Sequence, residues 1–407
     1  MNSFSINKQR IVLLSWLLFV AALGLLSSAK LITWLLVLPG LGLLLAKRAT
    51  LALEPGWRQF WFWLGICWLL PAVLAMPDAL NPERAWHQWL RLLSYGLAAT
   101  VFFVLPLASQ YHQRFLTLSA VIVLLLALDG LAQYALGSNS IGLPLFADGR
   151  YPAQITGFLG VDYGWVMAVL SPLVWFGLAE TAIGRKTLWL AMPLLLGVVL
   201  LSGSRAAFIL ALLAMLLVSL QLYSQGDRRT AVQFLFPAAA ALALALLMMV
   251  SLPDLHARWQ DLLLVFGGTE QGSLKALSLR PLLWSQGLSV FQEHWVNGVG
   301  LRGFAELAHH DLLPPKPQGW STHLALLDVA TDTGLIGLIA YLGFYLGLLG
   351  WWWRARGESS AFGMVALLAF APIGSTLPLY SARLGNMGWM CLAIALALAM
   401  SHRRGEQ

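Results

Sequence analysis

The sequence predicts an all-α polytopic membrane protein, and three observations predict it. Hydrophobic residues make up 59% of the 407 and charged residues only 11%, and the mean hydropathy is +0.74, too few polar groups to clothe a water-soluble surface. The apolar residues fall into runs of membrane-crossing length separated by short charged breaks. Backbone in hydrocarbon must pair all its own polar groups, so these runs are helices.

About twelve spans are expected, centred on Ile11 to Ser28, Leu31 to Ala46, Phe60 to Ala75, Leu92 to Leu107, Phe115 to Leu136, Gly157 to Leu178, Leu188 to Leu201, Ala206 to Leu222, Val232 to Leu252, Gly334 to Trp353, Ala361 to Leu377 and Asn386 to Met400. The first run lacks a small-residue cleavage site and is followed at once by another, so it reads as a retained span. No repeat of fixed period and no matched pair of broken spans is evident, which argues against a transporter.

Lys and Arg in the short loops set the orientation. Lys8, Arg10, Lys47, Arg48, Arg58, Arg114, Arg185, Lys186, Arg228, Arg229, Arg354, Arg356, Arg403 and Arg404 share one side, fourteen of the 25 basic residues. The other side's short loops hold Lys30, Arg84, Arg91, Arg150, Arg205 and Arg383. The positive-inside rule then places both termini in the cytoplasm and the long polar interval from Ser251 to His323 outside, in the periplasm of a bacterial inner membrane. The expected organisation is one membrane domain, 1–407, with one large periplasmic helical insertion at 253–322.

The net charge of +7 is spread singly between apolar runs rather than on one basic face, so no nucleic-acid partner is expected. Cys67 and Cys391 lie in separate apolar runs and suggest neither a disulfide framework nor a thiolate metal site.

Chemistry should sit in the Ser251 to His323 interval, which holds five of the eight histidines: His256, His294, His309, His310 and His323. Arg280 precedes Pro281, and proline favours the first helical position, so the guanidinium should stand at a helix N-terminus, a combination suited to phosphate. In that helix Trp284, Leu288, Phe291 and Trp295 recur at helical spacing, which predicts an apolar face lying on the membrane. Arg205 closes Ser202-Gly203-Ser204-Arg205, a turn short enough to bring two spans together at the periplasmic boundary. Its neighbours Gly203 and Ser204 would admit a phosphate close to the backbone.

His323 follows Ser321 and Thr322 at the head of an apolar run longer than one span, with a break expected near Gly334. A histidine there, near arginines, is disfavoured as a cation and can accept a proton as neutral imidazole. Asp328 and Asp332 share a helical face but lack further oxygen ligands at suitable spacing, so no metal is expected. Asp332 should instead serve the break or pair with an arginine. Asp129 and Asp162, placed inside spans, are functional suspects because charge in lipid is costly. His309-His310-Asp311 reads as a solvated rim. Arg383 in the last periplasmic loop is a further candidate cation.

Taken together, Ser202-x-Ser204-Arg205, Arg280-x-x-x-Trp284 with His294-x-x-x-Gly298-x-Gly300, and His323 followed by Asp332-x-Gly334-x-x-Gly337 resemble the O-antigen ligase and polymerase superfamily. Leu324 departs from the asparagine many members carry after the histidine, and Trp295 from a common proline. The resemblance implies a GT-C-type glycosyltransferase that needs no metal or other cofactor. It would use an undecaprenyl-diphosphate-linked O-antigen as donor and lipid A-core as acceptor, in lipopolysaccharide biosynthesis. Carried over by motif, Arg205 and Arg280 would hold the diphosphate and His323 would act at the acceptor hydroxyl. Arg150, Arg383 and His294 would be additional substrate contacts. Polymerisation of O-antigen, or glycan transfer to a protein hydroxyl, are the neighbouring activities within that resemblance.

Overall fold

The computed structural model describes residues 36–42, 44–46, 54–104, 112–146, 154–179, 182–253, 255–256, 260–261, 272, 274, 277–308, 319–374 and 381–405. Among these the chain is helical, with two isolated bridges, Ser138 to Pro144 and Phe146 to Gln154, and no strand. The helices are α1 (Pro55–Leu64), α2 (Leu70–Leu74), α3 (Pro82–Val104), α4 (His112–Leu136), α5 (Tyr163–Ala179), α6 (Ala182–Leu201), α7 (Arg205–Ser224), α8 (Arg228–Ser251), α9 (Arg280–Glu293), α10 (Phe304–Leu307), α11 (Ala325–Arg354), α12 (Gly357–Ala369) and α13 (Ala382–Gly405). The first expected span lies outside the described residues.

Among the described residues four helices, α4, α7, α8 and α11, are long and apolar enough to cross a membrane, and shorter apolar helices include Tyr163–Ala179, Lys186–Leu201, Gly357–Ala369 and Leu384–Met400. Large apolar side chains stand open on the outside of the bundle, among them Leu190 at 77%, Val250 at 71% and Leu346 at 63% exposure. Water would penalise such a surface, whereas lipid does not.

Helix α5 lies at the centre. Every residue from Tyr163 to Gly177 is buried, and the helix packs against α4, α6, α7 and α12. A helix apolar all round needs neighbours all round, which accounts for the clean run of buried positions. Asp162 precedes it in a 3-10 turn, Gly160–Asp162, so the sixth expected span starts later than its apolar composition suggests. A second core layer joins α3 and α13, with Trp389 against Phe370, Phe60 and Trp68.

Two helices are interrupted where the sequence supplies a reason. Between α1 and α2 the chain makes a π turn, Gly65–Leu69, just ahead of Pro71, whose ring cannot donate into the preceding turn. In α11, Gly334 adopts φ 62° and ψ −159°, a conformation open to glycine that breaks the helix into a short arm, 325–333, and a long one. The eleventh expected span is shorter than its apolar run: α12 stops at Ala369, ahead of Pro372. The following turn is used elsewhere, since the carbonyls of Pro372 and Gly374 accept the first two N–H groups of α11, from Leu326 and Ala325.

Asp129 ties down the segment after α4. Its Oδ1 accepts both the backbone N–H and the hydroxyl of Ser140, at 3.0 and 2.7 Å. One turn on, Gln133 accepts from the N–H groups of Thr156 and Gly157 and donates to the carbonyls of Leu143 and Pro144. Together they sew the segment after α4 back onto its last turns.

Candidate functional site

Helix α9 and the described residues after it carry a small core of their own. Leu283 and Val290 of α9 meet Val299, Phe304 and Ala308, with Leu279, Leu282 and Trp320 packed alongside. The face that α9 buries is Leu283, Gly287 and Val290, not the Trp284, Leu288, Phe291 and Trp295 stripe. Leu288 and Trp295 are instead open, at 51% and 55% exposure. Gly287 permits close packing on α11: a methyl there would meet Thr322 Cγ2 at 2.9 Å and Leu327 Cδ2 at 3.0 Å. Helix α9 thus lies directly on the turn that carries His323.

The glycines of the second and third motifs interlock. Gly298 has φ 72°, and a Cβ on it would lie 2.5 Å from the backbone of Thr331, Asp332 and Thr333. Conversely, a Cβ on Gly334 would collide with the Val296 carbonyl and lie 2.6 Å from Asn297 N. Backbone hydrogen bonds close the joint, from Val299 N to Thr331 O at 2.9 Å and from Leu335 N to Trp295 O at 2.7 Å. The break in α11 therefore frees backbone groups that the 294–300 turn takes up.

Arg205 and Arg280 are each the first residue of a helix. Gly203, at φ 72°, turns the chain out of α6, and Ser204 caps α7 by accepting from Ala207 N. These small residues thus build the turn that aims Arg205, and Gly164 of α5 leaves room for Ser202 beneath it. Arg280 follows two residues with left-handed backbone, Ser278 at φ 54° and Leu279 at φ 63°, and no side chain caps its helix. Arg205 reaches this corner: its Nη2 donates to Ser278 Oγ over a long 3.4 Å. Its Nη1 is buried without a hydrogen-bond partner.

Burial, and then the neighbouring Arg205 charge, lower the pKa of Arg280 from its usual value. Among the described residues the one carboxylate–arginine ion pair is elsewhere, Arg84 with Glu306 at 2.8 Å. Two guanidiniums, each at a helix N-terminus, are thus near enough for one charge to act on the other, and neither has an ion pair among the described residues. Such an arrangement favours a multiply charged anion. Trp284, one turn after Arg280, adds an indole N–H that is buried and unpartnered.

His323 lies in the turn before α11 with φ 55°, its ring 6.2 Å from that of Trp320. Asp328 fixes this turn. Its Oδ1 accepts the N–H and the hydroxyl of Thr322, both at 2.8 Å. Asp332 Oδ2 accepts from Arg302 N at 3.0 Å, and the Arg302 charge acts on both acids. Arg302 was not singled out from the sequence. Its only signal there is its place between Gly300 and Gly303, and it too has left-handed backbone, φ 67°.

The remaining candidates are placed separately. His294 ends α9, exposed and about 20 Å along the axis from Arg280. Arg383 is the second residue of α13. Arg150, His309, His310 and Asp311 lie outside the described residues. Among the described residues there is no group of three or more His, Cys, Asp or Glu placed to hold a metal ion.

Residues 190–342 match the family model described as O-antigen ligase. That stretch is similar to the O-antigen ligase family. The matched stretch runs from α6 to the long arm of α11. It contains Arg205, Arg280, His294, His323, the two acids and both interlocked glycines, and leaves Arg150 and Arg383 outside. No curated protein matches the chain.

Proposed function

We propose that this protein is a lipopolysaccharide O-antigen ligase. It transfers O-polysaccharide from undecaprenyl diphosphate to a sugar of lipid A-core at the periplasmic face of the bacterial inner membrane. The observation that carries the reading is the pair of guanidiniums, Arg205 and Arg280, heading α7 and α9 without an ion pair among the described residues, with α9 packed through Gly287 on Thr322, the residue before His323. The reading includes twelve spans of GT-C type with cytoplasmic termini, supported by the distribution of basic residues.

In this scheme the acceptor hydroxyl oxygen attacks the anomeric carbon, and the bond from that carbon to the diphosphate oxygen breaks. His323 takes the hydroxyl proton, and undecaprenyl diphosphate leaves with the bonding pair and both its phosphates held by Arg205 and Arg280. A sugar diphosphate is already activated, so positioning and charge neutralisation suffice. The bidentate fork of arginine supplies the neutralisation that a divalent cation gives elsewhere. One displacement inverts the anomeric centre.

The test is reconstitution of the purified chain with carrier-linked glycan and lipid A-core in the presence of a chelator. Product on lipid A-core, lost in His323→Ala, is the expected result. Extension of a second carrier-linked repeat instead would assign a polymerase, and product on a protein hydroxyl a protein oligosaccharyltransferase. Full activity of His323→Ala would remove the assigned role of the imidazole.

A further inference from the structure

A cavity lies at the other end of α11 from this site. It measures about 780 Å³ and is lined by Gly347, Gly350 and Trp351 of α11, by Arg354 and Arg356 at the corner into α12, and by Gln59 of α1. That volume is typical of a site for a small molecule. From the break at Gly334 to Arg354 the long arm of α11 covers about 30 Å, the thickness of the hydrocarbon layer. The two arginines therefore sit at headgroup depth on the membrane face opposite His323. Trp351 and Trp353 beside them are the aromatic residues expected at that level.

The two ends of the cavity differ in chemistry. Toward the membrane centre α11 offers no filling: a Cβ on Gly343 or Gly350 would meet nothing within 4 Å, and Leu346 is open at 63% exposure. At the other end Arg354 and Arg356 are exposed, and neither guanidinium has a hydrogen bond or ion pair among the described residues. The corner stays net positive with Glu358 counted. A ligand touching both ends needs an anionic head and an apolar tail running about 10 Å into the hydrocarbon, the distance along the helix from Arg354 to Gly347.

We propose that this groove is a binding site for an anionic glycerophospholipid of the leaflet opposite the transfer site. The headgroup phosphate lies between Arg354 and Arg356, and an acyl chain lies along the glycine face of α11. A soluble phosphate compound would leave the apolar half unfilled, and a zwitterionic lipid would leave the corner positive.

The test uses the full chain purified in detergent, as wild type, as Arg354→Gln/Arg356→Gln and as Gly350→Leu, with retained lipid read by native mass spectrometry. The wild type is expected to keep one phosphatidylglycerol-class lipid after annular lipid is stripped. The double variant should lose its preference for anionic over zwitterionic lipid by about tenfold or more, and Gly350→Leu should lose retention. Equal retention in all three proteins would overturn the proposal, as would none in the wild type. A thermal-shift titration of the wild type needs no variant to fold: phosphatidylglycerol should stabilise it, and phosphatidylcholine or inorganic phosphate alone should not. Stabilisation by inorganic phosphate equal to that by the lipid would also overturn it. So would a photo-crosslinker at Leu346 that captures residues 1–35 or a second copy of the chain instead of lipid.

Discussion

Arg205 and Arg280 begin two different helices, and their positive ends meet: the charge of Arg205 adds to burial in lowering the pKa of Arg280. Folding has brought together groups that repel, and a diphosphate would relieve that repulsion. Lysine at either position keeps the charge but loses the fork. Arg205→Lys and Arg280→Lys are therefore expected to cut transfer by roughly 10- to 100-fold, the worth of one or two charge-assisted hydrogen bonds. Densitometry of lipopolysaccharide ladders, or initial rates in the reconstituted assay, would show it. Rates within twofold of wild type would mean that neither fork grips the leaving group.

The same relationship has an opposite consequence for stability. A cation disfavoured by its surroundings costs the ligand-free fold, so Arg280→Gln should raise resistance to thermal unfolding while lowering transfer. Inorganic pyrophosphate should raise the melting temperature of the wild type and leave that of Arg280→Gln nearly unmoved. A variant that melts earlier than wild type would show that Arg280 is a structural residue with a partner.

Gly298 and Gly334 make a sharper prediction, because each combines a positive φ with backbone pressed against its α-carbon. Alanine at either position meets both a strained conformation and main chain that cannot step aside. The expected loss is above about 3 kcal/mol, with cleavage of the insertion by added protease. Gly142→Ala is the control: φ is 84° but nothing lies within 4 Å of its Cβ. That variant should cost only the conformational part, about 1–2 kcal/mol, and keep its activity.

How far the sequence spoke depended on whether a residue's local chemistry named its place. Arg280 was predictable at a helix start because Pro281 follows it, and the break at Gly334 because a glycine interrupts an apolar run too long for one span. The side of α9 that meets protein, Leu283, Gly287 and Val290, was not marked out by the sequence. Both faces of that helix are apolar, and periodicity cannot separate a stripe that meets protein from one that meets lipid. Asp129 looked functional because it falls within an apolar run. Its partner Ser140 lies eleven residues on, past a turn, and nothing in the run foretold the pairing. The position of Arg302 beside Asp328 and Asp332 depends on how the 294–300 turn docks into the broken helix, a contact between segments some thirty residues apart.

That docking gives Asp328 a role separable from binding. Its Oδ1 holds the N–H and hydroxyl of Thr322, the residue before His323, so it sets where the imidazole stands without needing to touch substrate. Asp328→Ala leaves a buried amide unsatisfied, costing about 1–3 kcal/mol. It also lets the turn drift, and a displacement of about 1 Å at a reacting group can cost on the order of 100-fold. The expected signature is a kcat reduced by tenfold or more with donor KM changed little, because Arg205 and Arg280 are held by other helices. Asp328→Asn keeps an oxygen at Oδ1 and should recover most of the rate. If asparagine were as inactive as alanine, the negative charge beside Arg302, and not the hydrogen bonds to Thr322, would be what the transfer step requires.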